Sequence, residues 1–244
     1  MNQDKLIVSN WKMNLNFAQA KELINNYNKI SLKNRNVKNI ICPQFLLIPF
    51  VSELIKKKDI LLGAQDCHFI KSGSFTGDSS VELIKKMNCK YVITGHSERR
   101  EFHFETNNLI RKKVELILSE DLRPILCVGE SINERKSRNH IDTIKEQLNI
   151  CVPENLKEII IAYEPIWSIG SGIIPKIDEI IEMKEIVMNF LKNRKKIKKI
   201  FFLYGGSVDS TNFKFIMQNT NVNGALIGGA SLKFKEMNKI LTFS

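Results

Sequence analysis

Eight short runs of apolar residues punctuate the chain, at residues 6–8, 40–42, 60–62, 91–93, 124–128, 159–162, 200–203 and 225–227. None alternates with polar residues, so each predicts a strand covered on both faces, as in a parallel sheet. Their spacing averages about 31 residues, the length of a strand–helix–strand unit. Between them lie stretches with helical periodicity. Residues 17–30 set Phe17, Ala20, Leu23, Ile24 and Tyr27 on one face, and residues 106–118 do the same with Ile110, Val114 and Ile117 behind a capping Thr106. Further helices are predicted over 46–57, 80–87, 140–148, 177–191, 210–217 and 233–239. Eight strands alternating with eight helices predict an α/β fold, a closed (β/α)8 TIM barrel. An open doubly wound sheet is the structural alternative, because periodicity alone does not show closure. No low-complexity linker divides the 244 residues, so residues 1–244 are expected to form a single barrel domain.

Composition narrows the class without naming a chemistry. At 43% hydrophobic and 26% charged residues the chain can bury a core. Its longest apolar stretch, 45–51, contains a proline and falls far short of the ~18 residues a membrane span needs. The N-terminal residues are polar and lead into a run too short for an export signal, and the five cysteines are scattered without a C-x-x-C pair. A reduced, cytoplasmic protein with no membrane partner is expected. The net charge of +11 and the run Arg194-Lys195-Lys196-Ile197-Lys198-Lys199 raise a second class, a non-enzymatic nucleic-acid binder. No aromatic-and-glycine motif accompanies that run, so it reads as a solvated helix end, and no nucleic-acid partner is expected.

In a barrel of this kind the chemistry sits on the loops that follow the strands. Those loops read Asn10-Trp11-Lys12 after the first run, Gly95-His96-Ser97-Glu98 after the fourth and Glu164-Pro165-Ile166-Trp167 after the sixth. Gly205-Gly206-Ser207 and Gly228-Gly229-Ala230-Ser231 follow the last two. Glycine pairs let backbone N–H groups approach an oxyanion closely, so phosphate binding is the first specific expectation. A lysine, a histidine and a glutamate converging on the same mouth suit proton transfer beside an anionic substrate. Small residues between Pro165 and Pro175 suit a lid moving on two short hinges.

These motifs, with Asn14, Phe75-Thr76-Gly77, Arg99-Arg100, Cys127-Val128-Gly129-Glu130 and Tyr204, resemble the triosephosphate isomerase family over essentially the whole chain. The resemblance implies interconversion of dihydroxyacetone phosphate and D-glyceraldehyde 3-phosphate through an enediolate, with neither metal nor cofactor. It implies Glu164 as the base, His96 as a neutral electrophile, Lys12 as the stabilising cation, and Asn10 and Glu98 as groups that position them. Backbone N–H groups of Gly170, Ser207, Gly228 and Gly229 would hold the phosphate. It also implies a homodimer in which the loop carrying Thr76 inserts beside Asn14 of a second subunit; a loop folded over its own barrel is the alternative.

Several positions depart from the family's usual pattern. Ser9, Ser168 and Ser171 are small-for-small changes. Pro175 at the second hinge fixes its own φ and biases Ile174 towards extended backbone, so lid kinetics are expected to differ. Phe104 stands where glycine is common. Another phosphate-binding barrel isomerase or aldolase is the enzymatic alternative, because the fold and glycine turns alone do not choose between them.

Overall fold

The computed structural model describes residues 4–32 and 36–243. All eight apolar runs fall inside strands: β1 Lys5–Asn10, β2 Val37–Cys42, β3 Ile60–Ala64, β4 Cys89–Thr94, β5 Arg123–Val128, β6 Glu158–Tyr163, β7 Lys199–Tyr204 and β8 Gly224–Ile227. Neighbours pair in parallel in chain order, and β8 pairs back onto β1 with Leu6 opposite Gly224 and Ser9 opposite Ile227. The sheet is therefore a closed barrel, and the open alternative is excluded.

Why the runs lack alternation is visible in the packing. Leu6, Val8, Ile40, Tyr91, Ile93, Ile125, Ile160, Phe201 and Leu203 fill the barrel interior. Their strand neighbours, among them Ile7, Ile41, Val92, Leu126, Ile161 and Phe202, face outward into a second core beneath the helices. Both faces of every strand are apolar because both are covered, and each fully buried Leu or Ile contributes about 1.5–3 kcal/mol.

Ten α-helices are assigned among the described residues: α1 Phe17–Tyr27, α2 Ile48–Leu54, α3 Val81–Lys86, α4 Ser97–Phe102, α5 Asn107–Ser119, α6 Ile132–Lys136, α7 His140–Cys151, α8 Ile177–Asn193, α9 Phe213–Thr220 and α10 Phe234–Phe243. Thr106 caps α5 as expected, accepting the Leu109 N–H at 3.3 Å. Two helices, α4 and α6, lie outside the eight that periodicity predicts; one or two turns are too short to show a period. The predicted helix over 46–57 resolves into a 3-10 turn, Phe45–Leu47, and the shorter α2, which carries Pro49 in its first turn. The one predicted over 210–217 starts later, at Phe213. Asp209 Oδ1 takes the backbone N–H groups of Thr211 at 2.8 Å and Asn212 at 3.1 Å, holding those residues in an Asx turn.

The charged runs lie at the far end from the mouth. Residues 56–58 precede β3 and residues 194–199 lead into β7, whose first residue is Lys199, so both mark strand starts. The second is partly folded in: Lys195 is buried against Glu154, Ile197 is buried, and Lys199 pairs with Glu158 at 2.5 Å. Among the described residues no helix is long and apolar enough to cross a membrane.

Candidate active site

The C-terminal ends of the strands surround a cleft of about 830 Å³ lined by Asn10, Lys12, His96, Glu164, Gly170, Ser207, Gly228 and Gly229. Eight positions singled out in the sequence thus meet at one mouth. Glu98 and Asn14 lie at its edge, Asn14 in the same lining and Glu98 in an adjoining cleft of about 490 Å³ that shares Asn10, Lys12 and His96. Thr76 is not part of this constellation: it sits on the exposed loop between β3 and α3.

β1 ends on Asn10, whose side chain fixes the turn beyond it. Asn10 Oδ1 accepts the Lys12 N–H at 3.0 Å, and Gln65 Nε2 donates to the Lys12 carbonyl at 2.9 Å. Both backbone groups of Lys12 are thereby held while it sits at φ +50°, a left-handed conformation that costs an L-residue about 1–2 kcal/mol. The strain aims its side chain across the mouth, where Nζ meets Glu98 Oε1 at 2.5 Å. Gln65 is not among the residues that stand out in the sequence; the signal available was its place just after β3, in a loop with scattered charges and no glycine pair.

His96 ends the β4 turn as the N-cap of α4. Its Nδ1 accepts the backbone N–H of Glu98 at 3.2 Å, so the ring proton resides on Nε2. Nε2 lies 3.1 Å from Glu164 Oε1.

Glu164 follows β6 and is 2% exposed. Its backbone N–H is tied to Val128 O at 2.8 Å, and Gly129 permits this approach, since a Cβ there would stand 1.8 Å from Glu164 O. Oε2 accepts the Ser97 N–H at 3.0 Å. Oε1, although close to His96, takes no well-aligned hydrogen bond. A buried carboxylate oxygen without a donor is costly unless something else occupies it, and Glu164 lines the cleft. Beneath it lies Cys127, whose thiol is pushed well up by burial and by the Glu164 carboxylate; it is not a thiolate nucleophile.

The segment from Pro165 to Pro175 covers one side of the mouth. It starts with the 3-10 turn Ile166–Ser168 and is anchored by Trp167 Nε1 donating to the buried Glu130 Oε1 at 3.1 Å. Burial pushes the Glu130 carboxyl up, against hydrogen bonds from Trp167 and Tyr163 that lower it. Gly170 and Gly172, at φ +66° and +76°, form an exposed apex flanked by the partly exposed Ile173 and Ile174. At the opposite wall Gly228 leads into the 3-10 turn Gly229–Leu232, whose first N–H groups have no acceptor within the turn. Open space stands before Gly229, and Lys12 Cε lies 3.4 Å from where a Gly228 Cβ would be.

Chemically, this mouth offers a water-poor carboxylate, a neutral N–H donor beside it, an ammonium opposite, and backbone donors for an anion. That defines a class: a (β/α)8 barrel isomerase able to move a proton between carbons of a phosphorylated substrate. The family model described as triosephosphate isomerase matches residues 5–244. Relatives named triosephosphate isomerase include that of Amoebophilus asiaticus, 40% identical with 98% of each chain covered. That of Aquifex aeolicus is 37% identical over 97% of this chain and 98% of its own, and that of the Wolbachia of Brugia malayi 39% over 97% and 96%. The chain belongs to the triosephosphate isomerase family. Agreement with one isomerase family along the whole length disfavours both the aldolase alternative and a nucleic-acid binder.

Proposed function

We propose that Glu164, His96 and Lys12 carry out this family's reaction in this chain, the interconversion of dihydroxyacetone phosphate and D-glyceraldehyde 3-phosphate. The observation that carries the assignment is the free Glu164 Oε1, buried at the cleft floor 3.1 Å from His96 Nε2. Glu164 removes a proton from the hydroxyl-bearing carbon beside the ketone, leaving an enediolate; the hydroxyl proton passes to the former ketone oxygen beside His96, and Glu164 returns its own proton to the neighbouring carbon to give the aldehyde. Negative charge develops on the two substrate oxygens. His96 donates Nε2–H to them, and the Lys12 ammonium stabilises the charge without losing its proton. Asn10 holds the Lys12 backbone, and Glu98 positions both the lysine and, through its own N–H, the imidazole.

The phosphate is assigned to the N–H groups of Ser207, Gly228 and Gly229, with Gly170 added when the lid closes. Backbone donors suit this task because they hold the dianion away from the reacting carbons and leave substrate and transition state equally bound at that end. Neither metal nor cofactor is needed for this sequence of proton transfers.

The chain is further proposed to act as one cytoplasmic barrel domain, residues 1–244, paired with a second copy and without a nucleic-acid or membrane partner. The loop between β3 and α3 supports the pairing. Residues 71–78 are exposed, and Phe75 rests on His68 of the same loop, ring centroids 4.1 Å apart, with 39% of its surface open. The 490 Å³ cleft beside the site is rimmed by the exposed Met13, Leu46 and Phe102 and suits a loop carrying Thr76 from a partner.

A coupled assay with glyceraldehyde 3-phosphate tests the activity. The purified protein is expected to isomerise it at enzymatic rates, and a rate no greater than background overturns the proposal.

A further inference from the structure

Ser168 lies at the inner end of the lid and has no exposed surface. Its hydroxyl is engaged on three sides. It donates to Ile173 O at 2.6 Å across the lid, accepts the Ser207 N–H at 3.2 Å, and lies 3.3 Å from the Tyr204 hydroxyl. The carbonyl of the same residue accepts Ser207 Oγ at 2.6 Å and Ser171 Oγ at 3.1 Å. One residue thus ties both ends of the lid to the turn after β7. Gly206 permits this, since a Cβ there would stand 2.2 Å from the Tyr204 oxygen and 2.7 Å from Ser168 Oγ.

The Ser207 N–H is among the donors assigned above to the phosphate, and the inference rests on that assignment. A single N–H cannot fully serve two acceptors, so Ser168 Oγ and a phosphate oxygen compete for it. We propose that Ser168 is a positioning residue whose hydroxyl oxygen stands in for a phosphate oxygen at Ser207 until substrate arrives. Phosphate, as a charged acceptor, makes the stronger bond and displaces the hydroxyl. With the Ser168 hydroxyl displaced from the Ser207 N–H, its tether to Ile173 no longer couples that end of the lid to the β7 turn, while Ser207 Oγ still holds the Ser168 carbonyl, and the apex is released toward the bound phosphate. Affinity is lowered by the fraction of molecules in which the serine occupies the donor.

The test is titration of inorganic phosphate into the wild-type protein and the Ser168→Ala and Ser171→Ala variants, following the Ser207 amide by NMR and the dissociation constant by calorimetry. Removing one competing hydrogen bond is expected to tighten phosphate binding about five-fold in Ser168→Ala. The KM for glyceraldehyde 3-phosphate should fall in parallel while kcat moves less than two-fold. Ser171→Ala, which loosens the lid without freeing the Ser207 N–H, should shift the dissociation constant less than two-fold. Ser168→Cys, similar in size but a weaker acceptor, should move affinity the same way as alanine. Unchanged affinity in Ser168→Ala, or weaker binding with lower kcat as a merely structural serine would give, overturns the proposal. A wild-type Ser207 amide that ignores phosphate would instead overturn the phosphate assignment, and the inference with it.

Discussion

His96 Nδ1 accepts the Glu98 backbone N–H, which commits the ring proton to Nε2, and that nitrogen stands 3.1 Å from Glu164 Oε1. A short helix start thus decides the tautomer of the residue that faces the base. Replacing the imidazole by a group without a donor at that point should remove stabilisation made chiefly in the transition state. His96→Ala is expected to lower kcat about 10²–10³-fold, the scale of one lost oxyanion donor, with inorganic phosphate binding nearly unchanged. Steady-state kinetics and calorimetry on the same preparation check this.

A buried charge cluster beside the mouth predicts a pH-dependent stability. Lys113 Nζ lies 2.7 Å from both Asp66 Oδ1 and Glu105 Oε1, and Arg99 Nε meets Glu105 Oε1 at 2.5 Å. Burial raises the Asp66 carboxyl, with Lys113 opposing it. Burial alone would also raise Glu105, but Lys113 and Arg99 outweigh it and hold that carboxyl below 4.5. Glu105 therefore adds stability above its unfolded value, lost as pH falls through its lower folded value, while raised Asp66 contributes with the opposite sign. Lys113→Met should cost about 3–5 kcal/mol at pH 7 by stranding the carboxylates. The deficit should shrink below about pH 5, where they can protonate. Urea unfolding of both proteins across pH checks the sign.

Phe104 sits at φ +55° with 83% of its surface exposed. Phe104→Gly relieves about 1–2 kcal/mol of left-handed strain and costs about 0.5–1 kcal/mol in chain entropy. A gain of up to about 1.5 kcal/mol is expected in urea unfolding at fixed protein concentration. A loss would mean that a partner covers the ring.

If the loop between β3 and α3 docks into a second copy, Thr76→Arg places a charge in the partner's cleft. Sedimentation should show a monomer, and activity should fall at least ten-fold, because that cleft shares Asn10, Lys12 and His96 with the active site. An unchanged dimer with full activity would remove Thr76 from the interface.

Much of this is legible in the chain. Strand runs such as 159–162 lack alternation because inner and outer cores both need apolar partners, and that pattern survives without coordinates. Lys12, His96 and Glu164 stand out by following runs, with glycine turns beyond the last two. What stays hidden depends on contacts between distant segments. Gln65 holds the Lys12 carbonyl from another loop, and the Ser97 N–H binding Glu164 belongs to a helix too short to leave a period. Ser168 reads as a small-for-small change, yet its hydroxyl bridges residues 173 and 207. Phe104 shows in the sequence only as an oddity; its positive φ explains why glycine would suit the position.

The most direct test of the central claim is Glu164→Gln, measured for kcat and for inorganic phosphate affinity together. The amide keeps the shape of the side chain and loses the base. The account predicts a kcat fall of at least about 10²–10⁴-fold with phosphate affinity within two-fold of wild type. Turnover near the wild-type rate, or equal losses of rate and phosphate binding, would contradict it.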